Sequence, residues 1–247
     1  MRHAATALLA VLTLGACGEA EPAATEPAEI GRTEAPAQPV ATAETAAPDA
    51  QAIEPTAVPE GSLSATEMTL GSEDAPLTLT EYASVTCGAC ASFNASLMPE
   101  IKRELVDTGL VRFVYREFPT PPEQLSIAGS MLARCAAGER GASAYFAATD
   151  ALYARQRDWA FGPDPRQALL DIFGQVGMDR DAIQACLGRP DVFEKIKTNI
   201  AEAKAIGINS TPTLVIDGEI YDFRPLVQDG GTEAIIADLR ARAEAKG

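Results

Sequence analysis

Cys87-Gly88-Ala89-Cys90 constrains this chain more than any other feature, because it follows a strand-like run, Leu77 to Ala83, and opens a helix-like one. Two thiols two residues apart then sit at a helix N-terminus. Unpaired backbone N–H groups and the positive end of the helix dipole stabilise a thiolate there, which lowers the pKa of the first cysteine from about 8.5 into the range ~3.5 to 7.5. An exposed thiolate with a second thiol in disulfide reach is the minimal equipment for exchanging disulfides with another protein. The same spacing also serves as half of a zinc site, which needs four ligands. The one histidine is His3 and there is no second C-x-x-C. The strand-then-helix context therefore points to redox chemistry, with no metal and no cofactor.

Residues 1–16 read as a signal peptide of lipoprotein type. Met1-Arg2-His3 is a positive start, Ala4 to Leu14 is an apolar run, and Leu14-Gly15-Ala16-Cys17 follows. The run is too short to cross a hydrocarbon core of ~30 Å but fits the apolar region of an export signal. Leu-Gly-Ala-Cys resembles the lipobox of bacterial lipoproteins, in which cleavage leaves a cysteine that carries lipid; an ordinary cleaved signal is the alternative. On the first reading Cys17 is the lipidation site and the protein is anchored on the periplasmic side of a bacterial cell envelope. Cleavage also removes His3, so the mature chain has no histidine. That excludes Ser-His-Asp hydrolases, Cys-His peptidases and histidine-ligated metals.

Residues 17–61 read as a disordered tether. Pro22, Pro27, Pro36, Pro39, Pro48, Pro55 and Pro59 are scattered among Ala, Thr and Glu, with no aromatic residue. Such a composition buries too little apolar surface to offset its ordering entropy. From Gly18 to Gly61 there are nine acids and one base, net −8, which is about half of the whole chain's −15. A coil of this length reaches roughly 35 to 40 Å. Neither a basic stripe nor interleaved aromatics support nucleic-acid binding. The segment also lacks heptads, so the chain is expected to be a monomer.

Residues 62–247 form one domain of α/β class. Strands are expected near Glu67–Leu70 and at Leu77–Ala83, then a helix from Cys87 interrupted near Pro99, and a strand at Leu110–Phe118. A long helical region spans about 123–206. A strand at Thr213–Asp217, a hairpin partner at Glu219–Asp222 and a final helix at about Thr232–Lys246 complete the order. With period two, Glu81 shares a strand face with Leu77, Leu79 and Ala83, so a carboxylate follows two core leucines inward, where burial raises its pKa. Phe146, Tyr153, Trp159 and Phe161 are read as core and cap packing.

Cys135 and Cys186 remain, both in helix-like stretches. Leftover thiols in an exported protein usually pair. Their bridge closes a loop of about 50 residues, worth roughly 4 kcal/mol in the chain-entropy model. Two reduced core thiols, or a regulatory pair, are the alternatives.

Three stretches carry a family resemblance: Glu81-Tyr82-Ala83-Ser84-Val85-Thr86-Cys87-Gly88-Ala89-Cys90, Val111-Arg112-Phe113-Val114-Tyr115-Arg116-Glu117-Phe118-Pro119, and Gly207-Ile208-Asn209-Ser210-Thr211-Pro212-Thr213-Leu214. In this order, around a helical insertion, they resemble the DsbA-like branch of the thioredoxin superfamily. The resemblance implies a thioredoxin-like fold with an inserted helical domain at about 123–206, and a cis proline, Pro212 after Thr211, beside the redox pair. It also implies that an acidic residue, here Glu81, assists the buried Cys90. It further implies exported protein substrates bearing thiols or disulfides, and a membrane redox partner that resets the active site. Gly88-Ala89 lacks the histidine of strongly oxidising relatives, and Thr86 stands where thioredoxin has tryptophan. These departures place the potential nearer ~−180 to −230 mV than ~−120 mV. A disulfide-forming oxidase, a reductase or isomerase, and a non-catalytic tethered binding lipoprotein are the readings in play.

Overall fold

A computed structural model of the chain describes residues 66–247; the signal peptide, Cys17 and the tether expected from the sequence lie outside the described residues. Five strands form one mixed sheet: β1 (Met68–Leu70), β2 (Leu77–Ala83), β3 (Val111–Glu117), β4 (Thr213–Ile216) and β5 (Glu219–Tyr221), in the order β1-β3-β2-β4-β5. β2 and β3 are parallel, with Glu81 opposite Tyr115, and every other pairing is antiparallel. Parallel neighbours need a crossover. Here it consists of α1 (Gly88–Ser96), α2 (Met98–Ile101) and a π-helical turn at Lys102–Val106. The break falls at Leu97, which lets Pro99 take a first-turn position of α2 where its missing N–H costs nothing.

Both faces of the sheet are covered, as strands that read apolar on alternate positions and sometimes on consecutive ones require. Leu77, Leu79, Val111, Phe113 and Leu214 join the main core, whereas Tyr82 and Val215 point the other way, onto Ala203 and Ile208. The β4–β5 hairpin turns through Asp217-Gly218, where both residues have positive φ, 49° and 92°. That is the backbone of a two-residue primed turn.

The long helical region resolves into six helices: α3 (Glu123–Arg140), α4 (Ala142–Ala154), α5 (Gln156–Trp159), α6 (Pro165–Gln175), α7 (Arg180–Leu187) and α8 (Pro190–Ala205). Two devices hold the block. A disulfide joins Cys135 of α3 to Cys186 of α7, with 6.1 Å between Cα atoms. A buried ion pair ties the block to the sheet: Arg134 of α3 donates from Nε to Glu117 Oε1 at 2.7 Å and from Nη2 to Oε2 at 2.8 Å. Tyr145 of α4 and Asn199 of α8 complete the carboxylate's partners at 2.8 and 2.6 Å. Every lone pair the geometry can reach is used, as a charge in the interior demands.

Several sequence expectations differ from the structure: the strand expected at Thr213–Asp217 ends at Ile216, and the one near Glu67–Leu70 starts at Met68. The strand expected at Leu110–Phe118 is one residue shorter at each end, because pairing with β2 runs from Val111 to Glu117. The hairpin partner stops at Tyr221, one residue early. A short helix, α9 (Arg224–Asp229), precedes the last one, α10 (Gly231–Glu244), since Pro225 suits a first turn. Phe161 is not core: it is 60% exposed, beyond the end of α5, while Trp159 is fully buried and donates Nε1–H to Leu152 O at 2.7 Å.

Candidate active site

Cys87 caps α1 at its N-terminus in extended backbone, so its side chain faces the free N–H groups of the first turn. The N–H of Cys90 donates to Cys87 Sγ at 3.4 Å. As a neutral thiol, Cys87 donates in turn to the Thr211 carbonyl at 3.4 Å. Hydrogen bonding with the Cys90 thiol lowers the Cys87 pKa most; burial opposes it, and the Thr211 side chain and the N–H groups of Cys90 and Ala89 add to the lowering, bringing the value to about 5. Cys90, one turn in and fully buried, is driven the other way by burial first and then by its hydrogen bond to Cys87. The two thiols are unpaired, one half-buried and one buried. The same short sequence thus creates a nucleophile and a reluctant partner.

Pro212 follows a cis peptide bond from Thr211, and this loop faces Cys87. A groove of about 670 Å³ runs from the loop between α1 and the C-terminal hairpin, lined by Phe93, Leu97, Pro212, Ile220, Phe223 and Val227 among others. Ile220 and Val227 are more than half exposed. Apolar side chains held open to solvent beside a nucleophile are what an extended, partly unfolded polypeptide can dock against.

Glu81 lies on the inward face of β2, 4% exposed, with Oε1 unpartnered. Burial foremost, and then the Cys87 charge, push its carboxyl up to about 8. It also lines a separate cavity of about 240 Å³ with Asn94, Lys102 and Asp150, away from the apolar groove. Opposite it, Tyr115 shares a hydroxyl–hydroxyl bond of 2.8 Å with Tyr153 of α4. The Cys90 thiol, Glu81 and the two tyrosines interact electrostatically.

The structure therefore brings Cys87, Cys90, Glu81, Thr211 and Pro212 together, and keeps Cys135 and Cys186 apart in the helical block, in their own bond. Sequence reasoning missed two further groups. One is a hydroxyl knot behind the redox loop: Ser84 Oγ lies 3.0 Å from Thr86 Oγ1, 2.8 Å from Ser126 Oγ and 2.9 Å from Thr120 Oγ1. The other is Gln156 of α5, whose Nε2 donates to the carbonyls of Val85 at 2.9 Å and Cys87 at 3.0 Å. A signal for Gln156 existed: it is a lone amide on the apolar stripe Leu152, Trp159, Ala160. The knot had none, because its members meet only through the fold.

Comparison with known proteins follows the same lines. The family model described as thioredoxin matches residues 63–235. A Rickettsia bellii protein with the provisional name protein-disulfide oxidoreductase is 29% identical over 62% of this chain and 57% of its own length. The chain thus spans little more than half of the curated relatives it matches. Among solved structures, Wolbachia pipientis alpha-DsbA1 is 26% identical with a TM-score of 0.60, over 73% of this chain and 94% of that one. Pseudomonas aeruginosa DsbA2 is 28% identical with a TM-score of 0.52, over 63% and 85%.

Proposed function

The chain belongs to the thioredoxin family, in its DsbA-like branch, and from that membership we propose that it is a thiol-disulfide oxidoreductase that forms disulfide bonds in exported proteins. The observation that carries the reading is the unequal pair: a half-exposed Cys87 with its pKa near 5 facing a cis-proline loop and an apolar groove, and a buried Cys90 with its pKa raised. A thiolate stabilised in the reduced form makes the disulfide form a better oxidant.

In this reaction the oxidised protein carries a Cys87–Cys90 bond. A substrate thiolate attacks Cys87 Sγ, that bond breaks, and its electron pair goes to Cys90 Sγ. A high-pKa sulfur is a poor leaving group unless it takes up a proton. Glu81, whose carboxyl burial pushes up even without the Cys87 charge, is assigned the role of giving it. A second substrate thiolate then attacks the substrate sulfur of the mixed disulfide and releases Cys87 as a stable thiolate. The substrate loses two electrons and the Cys87–Cys90 pair gains them. Thr211 and Pro212 support the substrate backbone during both steps. A membrane redox partner that is itself a disulfide oxidant restores the Cys87–Cys90 bond by taking up the two electrons and two protons. Lipid at Cys17 would hold the protein at the periplasmic side of the envelope; among the described residues no helix is long and apolar enough to cross a membrane. Reduction or isomerisation uses the same groups in reverse, with Glu81 accepting the proton.

Glu81→Gln tests the proton assignment. The first step should slow by about 10²-fold, the lower end of general acid contributions. The sign of the pH effect follows from burial, which raises the Glu81 pKa in the oxidised protein too, although a disulfide-bonded Cys87 adds no charge: in the unmutated chain the rate of opening by a fixed concentration of substrate thiolate falls as pH rises through that raised value and Glu81 loses its proton. The variant should lack that limb. Stopped-flow reduction of the oxidised protein by a model dithiol reads both. A Gln variant with the unmutated rate and the unmutated limb would remove Glu81 from the mechanism.

A further inference from the structure

Gln156 is 8% exposed and belongs to α5, in the helical block, yet its amide reaches into the redox loop. Its two acceptors have different roles. The Val85 carbonyl lies in the turn that brings the Cys87 N–H to the Ser84 carbonyl at 3.0 Å. The Cys87 carbonyl already accepts the first bond of α1, from Ala91 N–H at 3.1 Å. A second donor on that carbonyl fixes the plane of the Cys87–Gly88 peptide, and with it the direction in which the next N–H groups point. Those groups, of Ala89 and Cys90, are among the donors that stabilise the Cys87 thiolate. An amide is suited to this place: it is uncharged at every pH and carries two donors in one plane.

We infer that Gln156 is the positioning residue through which the helical insertion holds the N-terminal turn of α1 and keeps its N–H groups aimed at Cys87 Sγ. The inference deepens the function proposed above and rests on Cys87 being the reacting thiol. The insertion then acts on the redox loop directly: any displacement of α5 is transmitted to Cys87 through two hydrogen bonds. The titratable groups that face Cys87 are Cys90 of α1 and Glu81 of β2, and neither is altered by changing Gln156.

The test is the pH profile of iodoacetamide alkylation at Cys87, read by peptide mapping of the reduced full chain, for the unmutated protein, Gln156→Leu and Gln156→Met. Leucine removes both donors at similar volume, and methionine removes them on an unbranched chain, neither adding a charge. The unmutated profile should have its midpoint near 5. Both variants should shift the midpoint upward, slowing alkylation at pH 5 by about threefold or more, as loss of one hydrogen bond to the ionised system implies. Both should also move the thiol-disulfide equilibrium with glutathione toward the oxidised protein. Should Gln156→Leu not fold, Gln156→Met, which adds no charge, carries the same comparison. A purely structural role would lower the melting temperature and leave midpoint and equilibrium in place, and that result overturns the inference alone. An ordinary thiol profile in the unmutated chain would overturn the functional reading and this inference with it.

Discussion

Cys87→Ser should abolish disulfide exchange completely while leaving the fold intact. The side chain sits at the N-terminus of α1, half-buried, and its packing is conserved by a hydroxyl that is itself a good N-cap. What disappears is the only accessible sulfur of the pair, since Cys90 is buried with its ionisation suppressed. Oxidation of a reduced model protein in glutathione buffer should proceed at the buffer's own rate, and the circular dichroism spectrum should be unchanged. Residual turnover above the buffer would mean that Cys90 reaches substrate unaided.

Arg134→Met should destabilise the protein by about 3–5 kcal/mol, because the Glu117 carboxylate then remains buried without its cation. For a domain of this size that lowers the melting temperature by roughly 10 °C. The loss comes from the orphaned charge more than from the missing bond. Combining Arg134→Met with Glu117→Leu should therefore recover part of it, as replacement of a whole buried pair by apolar groups often does. A single variant within about 1 kcal/mol of the parent would show that the pair contributes little. A double variant less stable than the sum of its singles would contradict the orphaned-charge account.

Much of the site was legible because its elements are local. A strand run followed by Cys87-x-x-Cys90 places two thiols at a helix start by geometry alone, and period two puts Glu81 inward beside Leu77 and Leu79. Thr211 and Pro212 came from the resemblance of a stretch, since no periodicity places a loop from far along the chain against Cys87. What could not be read depends on contacts distant in sequence. Glu117 and Arg134 look like ordinary surface charges until β3, α3, α4 and α8 converge on them. Gln156 lies 69 residues beyond the Cys87 carbonyl it binds. Phe161 reads as core or cap packing within an aromatic-rich stretch, yet the chain turns after Trp159 and leaves most of its ring in solvent.

In the proposed reaction Cys87 forms the covalent link to substrate and Cys90 lets it go. Cys90→Ser separates the two roles. Expressed as the full chain and recovered from cells under acid quench, this variant should carry mixed disulfides with client proteins. Non-reducing electrophoresis and peptide mapping should place every such bond at Cys87. Absence of any mixed disulfide, or bonds at cysteines other than Cys87, would contradict the account.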